Sequence, residues 1–152
     1  DISCEGEIGF VGYSDGEQSN GTNPSEANMF AKDTKVDAMA ISVGNVHLQK
    51  HKGSNLDLER IRQIEQVTSI PLVIHGGSGV PVEQRSFLSR NSKICKFNIG
   101  TELRMTFGDT LRKSIVSHPD QFDRVEILKK THEPLVQATR KVLNAFKPES
   151  KK

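Results

Sequence analysis

Two carboxylates and two histidines stand where strands give way to loops: Glu5 and Glu7, His47 in Gly44-Asn45-Val46-His47, and His75 ahead of Gly76-Gly77-Ser78-Gly79. Imidazole and carboxylate groups are the donors that hold zinc and similar ions. His47 and His75 close successive βα units, so both rings can sit over one mouth, within reach of one ion. Glu5 and Glu7 are two apart on an extended run and share a face. Turned inward, they would orient a metal-bound histidine or act as ligands themselves; turned outward, they would be solvated. A single loop histidine is more often a surface group. Two at equivalent strand ends, one inside a glycine-rich turn, weigh the metal and the surface reading about equally.

The same turns suggest a second chemistry. His75-Gly76-Gly77-Ser78-Gly79 and Asn98-Ile99-Gly100-Thr101 each end a strand and lead into a helix. Unpaired N–H groups and the positive end of a helix dipole make such a turn an anion site, typically for phosphate. The alternative for the first turn is a bend that needs positive φ, which glycine supplies freely. Asn98 could donate a hydrogen bond to an oxyanion or cap the following helix. Asp15 lies in a polar loop, Gly12-Tyr13-Ser14-Asp15-Gly16, where an acid–base role requires the loop to close over substrate.

The elements that position these residues alternate between strand and helix. Strands are expected at Ile2–Phe10, Val36–Val43, Pro71–Ile74 and Ile94–Ile99. A polar loop runs to Asn23, and a short helix from Pro24 to Asp33 has Asn23 or Ser25 as its cap. Gly44–Asn55 reads as a loop. Leu56, Ile61, Ile64 and Val67 trace a helix face, Pro81–Asn91 a further helix, and Leu103, Phe107, Leu111 and Ile115 another. The last helix spans about Glu126–Phe146 through Leu128, Leu135 and Val142. This organisation predicts a first segment, 1–35, of strand, mobile loop and short helix; three βα units over 36–118; and a terminal helix and tail over 119–152. No G-x-G-x-x-G follows a strand, which argues against a dinucleotide fold. Polar groups instead recur at the strand ends (Glu7, His47, His75, Asn98), the pattern of half a closed α/β barrel.

Composition narrows the function classes. The 152 residues carry 21 Lys+Arg against 19 Asp+Glu, a balance that suggests no nucleic-acid partner. No apolar run is long enough for a membrane span, and the first residues do not form a signal peptide. The start at Asp1 reads as part of a longer protein. Two cysteines, Cys4 and Cys95, make no disulfide framework; their strand-like surroundings predict buried thiols in a reducing cytoplasm.

Three stretches together carry a family resemblance: Val36-Asp37-Ala38-Met39-Ala40-Ile41-Ser42-Val43-Gly44-Asn45-Val46-His47, Pro71-Leu72-Val73-Ile74-His75-Gly76-Gly77-Ser78-Gly79-Val80-Pro81 and Lys96-Phe97-Asn98-Ile99-Gly100-Thr101-Glu102-Leu103-Arg104. The chain resembles the class II, metal-dependent ketose-bisphosphate aldolases from Ile2 to about Phe146. The resemblance implies a TIM (β/α)8 barrel, with this chain covering roughly its last four βα units. It implies zinc-dependent cleavage of fructose 1,6-bisphosphate, or of tagatose bisphosphate or a related ketose phosphate, to dihydroxyacetone phosphate and an aldehyde. His47 and His75 match zinc ligands, and Glu7 an acidic position near the metal. Gly76, Gly77 and Ser78, with Gly100 and Thr101, match the loops that grip phosphate, and Asn98 matches the group that hydrogen-bonds the enediolate. A monovalent cation (sodium or potassium) beside the phosphate and a homodimer or homotetramer are also implied. Four departures stand out. No Asp-His-Gly motif supplies the third ligand and catalytic Asp; Asp15 replaces a Glu base; Leu48 replaces the Gly after the first histidine; and His132 replaces an Arg. These leave room for a homologue that binds sugar phosphate without cleaving it. A metal-free phosphate-binding barrel, such as an isomerase, is a further rival.

Overall fold

The computed structural model describes residues 2–13, 19–48, 53 and 55–146. The chain forms two compact units, Asp1–Ile99 and Gly100–Lys152. The first contains β1 (Glu5–Ile8), β2 (Gly12–Tyr13), α1 (Pro24–Thr34), β3 (Ala38–Ile41), β4 (Val46–His47), α2 (Leu58–Val67), β5 (Leu72–Ile74), a 3-10 turn at Gly77–Gly79, α3 (Val82–Asn91) and β6 (Ile94–Phe97). The second contains α4 (Thr101–Ser117) and α5 (Arg124–Asn144).

β1, β3, β5 and β6 form one parallel sheet in that order, without the reversal that marks a doubly wound sheet. Strand register sorts their side chains onto two faces. Glu5 and Glu7 lie opposite Ala38 and Ala40, and Ala40 lies opposite Val73. On the other face Met39 and Ile41 lie opposite Leu72 and Ile74. That second face is the core: these four, with Ile94, join Ala27 of α1, Ile61 and Ile64 of α2 and Leu88 of α3 in one buried cluster, and Ile8, Phe30 and Phe97 pack against it. The helices therefore cover only the apolar face, and burying those side chains supplies the main folding force of the unit.

β6 reaches the same division by an irregular route. Leu72 pairs with Ile94, but the next residue, Val73, pairs with Lys96, so the strand bulges there. Strict alternation would turn Lys96 to the helix side with Ile94. The extra residue instead sets Lys96 beside Val73 and Phe97 beside Ile74.

Helix ends follow local chemistry. Asn23 Oδ1 accepts the Ser25 N–H at 2.8 Å to open α1, and Asp57 Oδ1 accepts that of Arg60 at 2.9 Å to open α2. Leu56 precedes this second cap instead of lying within the helix; it and Ile61, four residues into α2, are both buried, as in a hydrophobic staple. The expected 44–55 loop contains β4, which pairs in parallel with β2: Gly12 faces Val46, and Tyr13 faces His47.

Other expectations are corrected. Cys4 and Cys95 are both exposed, Cys95 at the bulge and Cys4 just ahead of β1. Val67, the last residue of α2, is also exposed, as are Ile115 and Leu128 in the second unit. There, no residue of α4 and only Thr131 of α5 is buried. No helix among the described residues is long and apolar enough to cross a membrane.

Candidate metal centre

Glu7, His47 and His75 each offer one ligand atom, and these atoms lie within 4.8 Å of one another. Three different strands deliver them. Glu7 projects from β1, on the face opposite the helices. His47 ends β4, and His75 follows the last residue of β5. The two imidazoles stand with centroids 6.1 Å apart and planes tilted by 47°.

Asn45, for which the sequence predicts no role, holds the two histidine-bearing segments together. It is 1% exposed. Its Oδ1 accepts the Val43 N–H at 2.7 Å, while its Nδ2 donates to the Ile41 carbonyl at 3.2 Å and to the His75 carbonyl at 3.0 Å. The visible signal was an amide inside an otherwise apolar run, Val43-Gly44-Asn45-Val46. Thr22 makes a similar stitch at the ends of β1 and β3. Its hydroxyl donates to the Ile8 carbonyl and accepts from the Ser42 N–H, both at 2.9 Å.

His75 is gripped from both sides. Its Nδ1 lies 3.0 Å from Glu7 Oε1, and its Nε2 lies 3.2 Å from Glu5 Oε1. The other oxygen of Glu5 accepts from Lys96 Nζ at 2.6 Å. The Lys96 hydrogen bond holds the Glu5 carboxyl below its usual range; partial burial opposes this, and the His75 hydrogen bond reinforces it. His47 is held below the ordinary imidazole range, first by burial and then by repulsion from His75, with Glu7 pulling the other way. A neutral His47 is the form that can coordinate a cation.

The donor chemistry fits zinc. Two imidazole nitrogens and a carboxylate oxygen are a familiar catalytic set, and three protein ligands leave a position open. Tetrahedral coordination needs donors roughly 3.3 Å apart, so the present spread of up to 4.8 Å closes by modest side-chain rotation. Among the described residues, this is the one cluster of three or more such ligands.

The glycine-rich turn has structural duties beyond any ligand. Gly76 adopts φ 65°, and a Cβ there would lie 2.5 Å from the Val46 carbonyl oxygen. Only glycine lets this turn sit against β4. The Gly77 N–H donates to the Asn98 carbonyl at 3.0 Å, and the Gly79 N–H to the Gly76 carbonyl at 3.2 Å. Those two donors are committed inside the fold, and Ser78 is buried. Asn98 uses its backbone in the sheet, with its N–H donating to the Ile74 carbonyl at 2.9 Å, and the residue is exposed.

Leu48 follows His47 with φ 57°, a left-handed conformation that a branched side chain rarely takes, and it is 51% exposed. Asp15 lies outside the described residues. Gly100 and Thr101 open α4 in the second unit, and His132 lies exposed on α5 of that unit.

A sequence model of the family described as Fructose-bisphosphate aldolase class-II matches residues 1–151. Solved structures share the architecture. The YdjI aldolase from Escherichia coli K12 matches at 25% identity and a TM-score of 0.68, over 98% of this chain and 50% of its own. A candidate fructose-1,6-biphosphate aldolase from Coccidioides immitis matches at 22% identity and a TM-score of 0.74, over 95% of this chain and 52% of its own. A fructose-bisphosphate aldolase from Campylobacter jejuni matches at 21% identity and a TM-score of 0.68, over 95% of this chain and 50% of its own. The chain thus spans about half the length of the structures it matches.

Proposed function

Because this chain belongs to the class II fructose-bisphosphate aldolase family, we propose that Glu7, His47 and His75 are the zinc ligands of an aldolase acting on a phosphorylated ketose. The family is one of metal-using lyases with a TIM-barrel fold, and the parallel sheet of this chain is a part of that fold, about half the length of its relatives. The observation that carries the reading is the convergence of those three ligand atoms from β1, β4 and the end of β5.

Bound zinc would supply Lewis acidity toward a ketone carbonyl. Glu7 brings negative charge to the ligand set, and the two imidazoles bind in their neutral form. The exposed Asn98, at the end of β6, is the donor for charge developing on a substrate oxygen. Asp15 is the carboxylate that would exchange the proton on the adjacent carbon. The phosphate is assigned to the Gly76-Gly77-Ser78 turn, where the glycines shape the backbone. The roles of Gly100 and Thr101 at a second phosphate turn, of Leu48 beside the substrate, and of a nearby sodium or potassium ion rest on resemblance alone. Fructose 1,6-bisphosphate is the proposed substrate, dihydroxyacetone phosphate one product, a homo-oligomer the assembly and the cytoplasm the location.

The test is cleavage of fructose 1,6-bisphosphate and tagatose 1,6-bisphosphate by the full-length protein loaded with Zn2+. Cleavage abolished by EDTA, restored by Zn2+ and lost in His75→Ala is the expected result. Binding of dihydroxyacetone phosphate without cleavage of either sugar would point to a non-catalytic homologue. Activity untouched by EDTA, with no zinc in metal analysis, would overturn the metal centre.

A further inference from the structure

We infer that Glu5 and Lys96 are a positioning pair that fixes which nitrogen of His75 faces the metal. The inference rests on the zinc reading above. His75 has carboxylates at both ring nitrogens, yet the two are not equivalent. Glu7 Oε1 sits 3.0 Å from Nδ1 and belongs to the convergent ligand cluster. Glu5 Oε1 sits 3.2 Å from Nε2, and its second oxygen is taken by Lys96 at 2.6 Å. Nδ1 is therefore the ligating nitrogen and Nε2 carries the hydrogen donated to Glu5. A carboxylate on the far nitrogen of a ligating imidazole fixes the tautomer, sets the ring's direction and raises its basicity.

Lys96 keeps Glu5 in this role. Without an anchoring cation, Glu5 and Glu7, two residues apart on one face of β1, could both swing toward the same ion. Lys96 ties Glu5 back across the sheet, from β6 at one edge to β1 at the other. The residues between them are small, Ala38 and Ala40 on β3 and Val73 on β5, and leave the path open. The bulge between Ile94 and Lys96 is what puts the lysine on this face. A charged residue at position 96 and a break in strand pairing thus serve one geometry.

The experiment measures Zn2+ affinity of the full-length protein by competition with a chromophoric chelator, together with the visible absorption of the Co2+ form. Glu5→Ala is expected to weaken Zn2+ binding about 10- to 100-fold and to change the Co2+ spectrum, since the ring is no longer held. Lys96→Met should weaken binding at the low end of that range. The double variant should match Glu5→Ala within about twofold, because both changes act through one carboxylate. If Glu5→Ala fails to fold, Lys96→Met and its Co2+ spectrum decide alone. Wild-type Zn2+ affinity and an unaltered Co2+ spectrum in the folded variants would overturn the positioning role while leaving the zinc site standing. A wild-type protein that binds no Zn2+ would overturn both.

Discussion

The two faces of the β1-β3-β5-β6 sheet are made from the same strands and do opposite work. On one, Met39, Ile41, Leu72, Ile74 and Ile94 pack against three helices and are all under 4% exposed. On the other, Glu5, Glu7, Lys96 and the adjoining His75 form a charged network around the small Ala38, Ala40 and Val73. Apolar burial is concentrated on the first face and the candidate metal ligands lie at the second. Neighbouring positions along a strand therefore answer to different selection: Ile41 needs volume, whereas Ala40, one residue away, must stay small enough for charges to meet over it.

That division can be broken at measurable points. The largest effect is expected from Ile41→Ala, which removes a fully buried side chain and should cost about 2–5 kcal/mol in urea unfolding of the metal-free protein. Zn2+ affinity of the folded fraction should hardly change. A large loss of affinity would mean that the faces are not independent. Asn45→Ala strikes the seam between them. It strips hydrogen bonds from the buried Val43 N–H and Ile41 carbonyl and from the part-buried His75 carbonyl, for an expected loss of about 2–3 kcal/mol. Here stability and Zn2+ affinity should fall together, since the same amide holds the His75 backbone.

Smaller changes sharpen the contrast. Leu48→Gly relieves a left-handed leucine worth about 1–2 kcal/mol but adds unfolded-chain entropy of about 0.5–1 kcal/mol. A net gain of roughly 0.5–1 kcal/mol is expected in the same unfolding assay, because the half-exposed side chain gives up little burial. The mildest test is pH. His47 is held below the ordinary histidine value, so below about pH 6.5 the unfolded chain takes up its proton before the folded one does. Stability of the metal-free protein should decline as pH falls below that point, and His47→Asn should flatten the decline. Glu5, held below the usual carboxylate range, keeps its contribution until distinctly more acidic conditions.

Local patterns made much of this legible. The runs Val36–Val43 and Pro71–Ile74 announced strands, the second of them buried, the spacing of Glu5 and Glu7 put both on one face, and of the two residues expected to cap α1, Asn23 does so. The convergence of Glu7, His47 and His75 was legible because strand ends in successive βα units meet. What stayed hidden depends on pairing between distant segments. Position 95 reads as an interior strand residue, and only the register against Leu72 and Val73 reveals the bulge that exposes Cys95 and turns Lys96 toward Glu5. The long-range partner of Asn45, the His75 carbonyl, lies beyond β5, and the β2–β4 pairing joins segments more than thirty residues apart. The spacing of Leu103, Phe107, Leu111 and Ile115 correctly located α4, yet no residue of that helix is buried; periodicity tells which side is apolar, not whether anything covers it.

The bulge in β6 also makes one residue supernumerary. Ile94, Lys96 and Phe97 already occupy the faces that an uninterrupted strand would give them if Cys95 were not there. Shortening the strand by that single residue would leave every flanking side chain on its present side, whereas removing Ile94 or Lys96 would set Cys95 in the vacated place, taking an apolar group from the core in the first case and the cation from Glu5 in the second. In this strand the order of the side chains matters more than their number, and the cysteine acts as a spacer whose thiol donates to the Leu72 carbonyl at 3.5 Å.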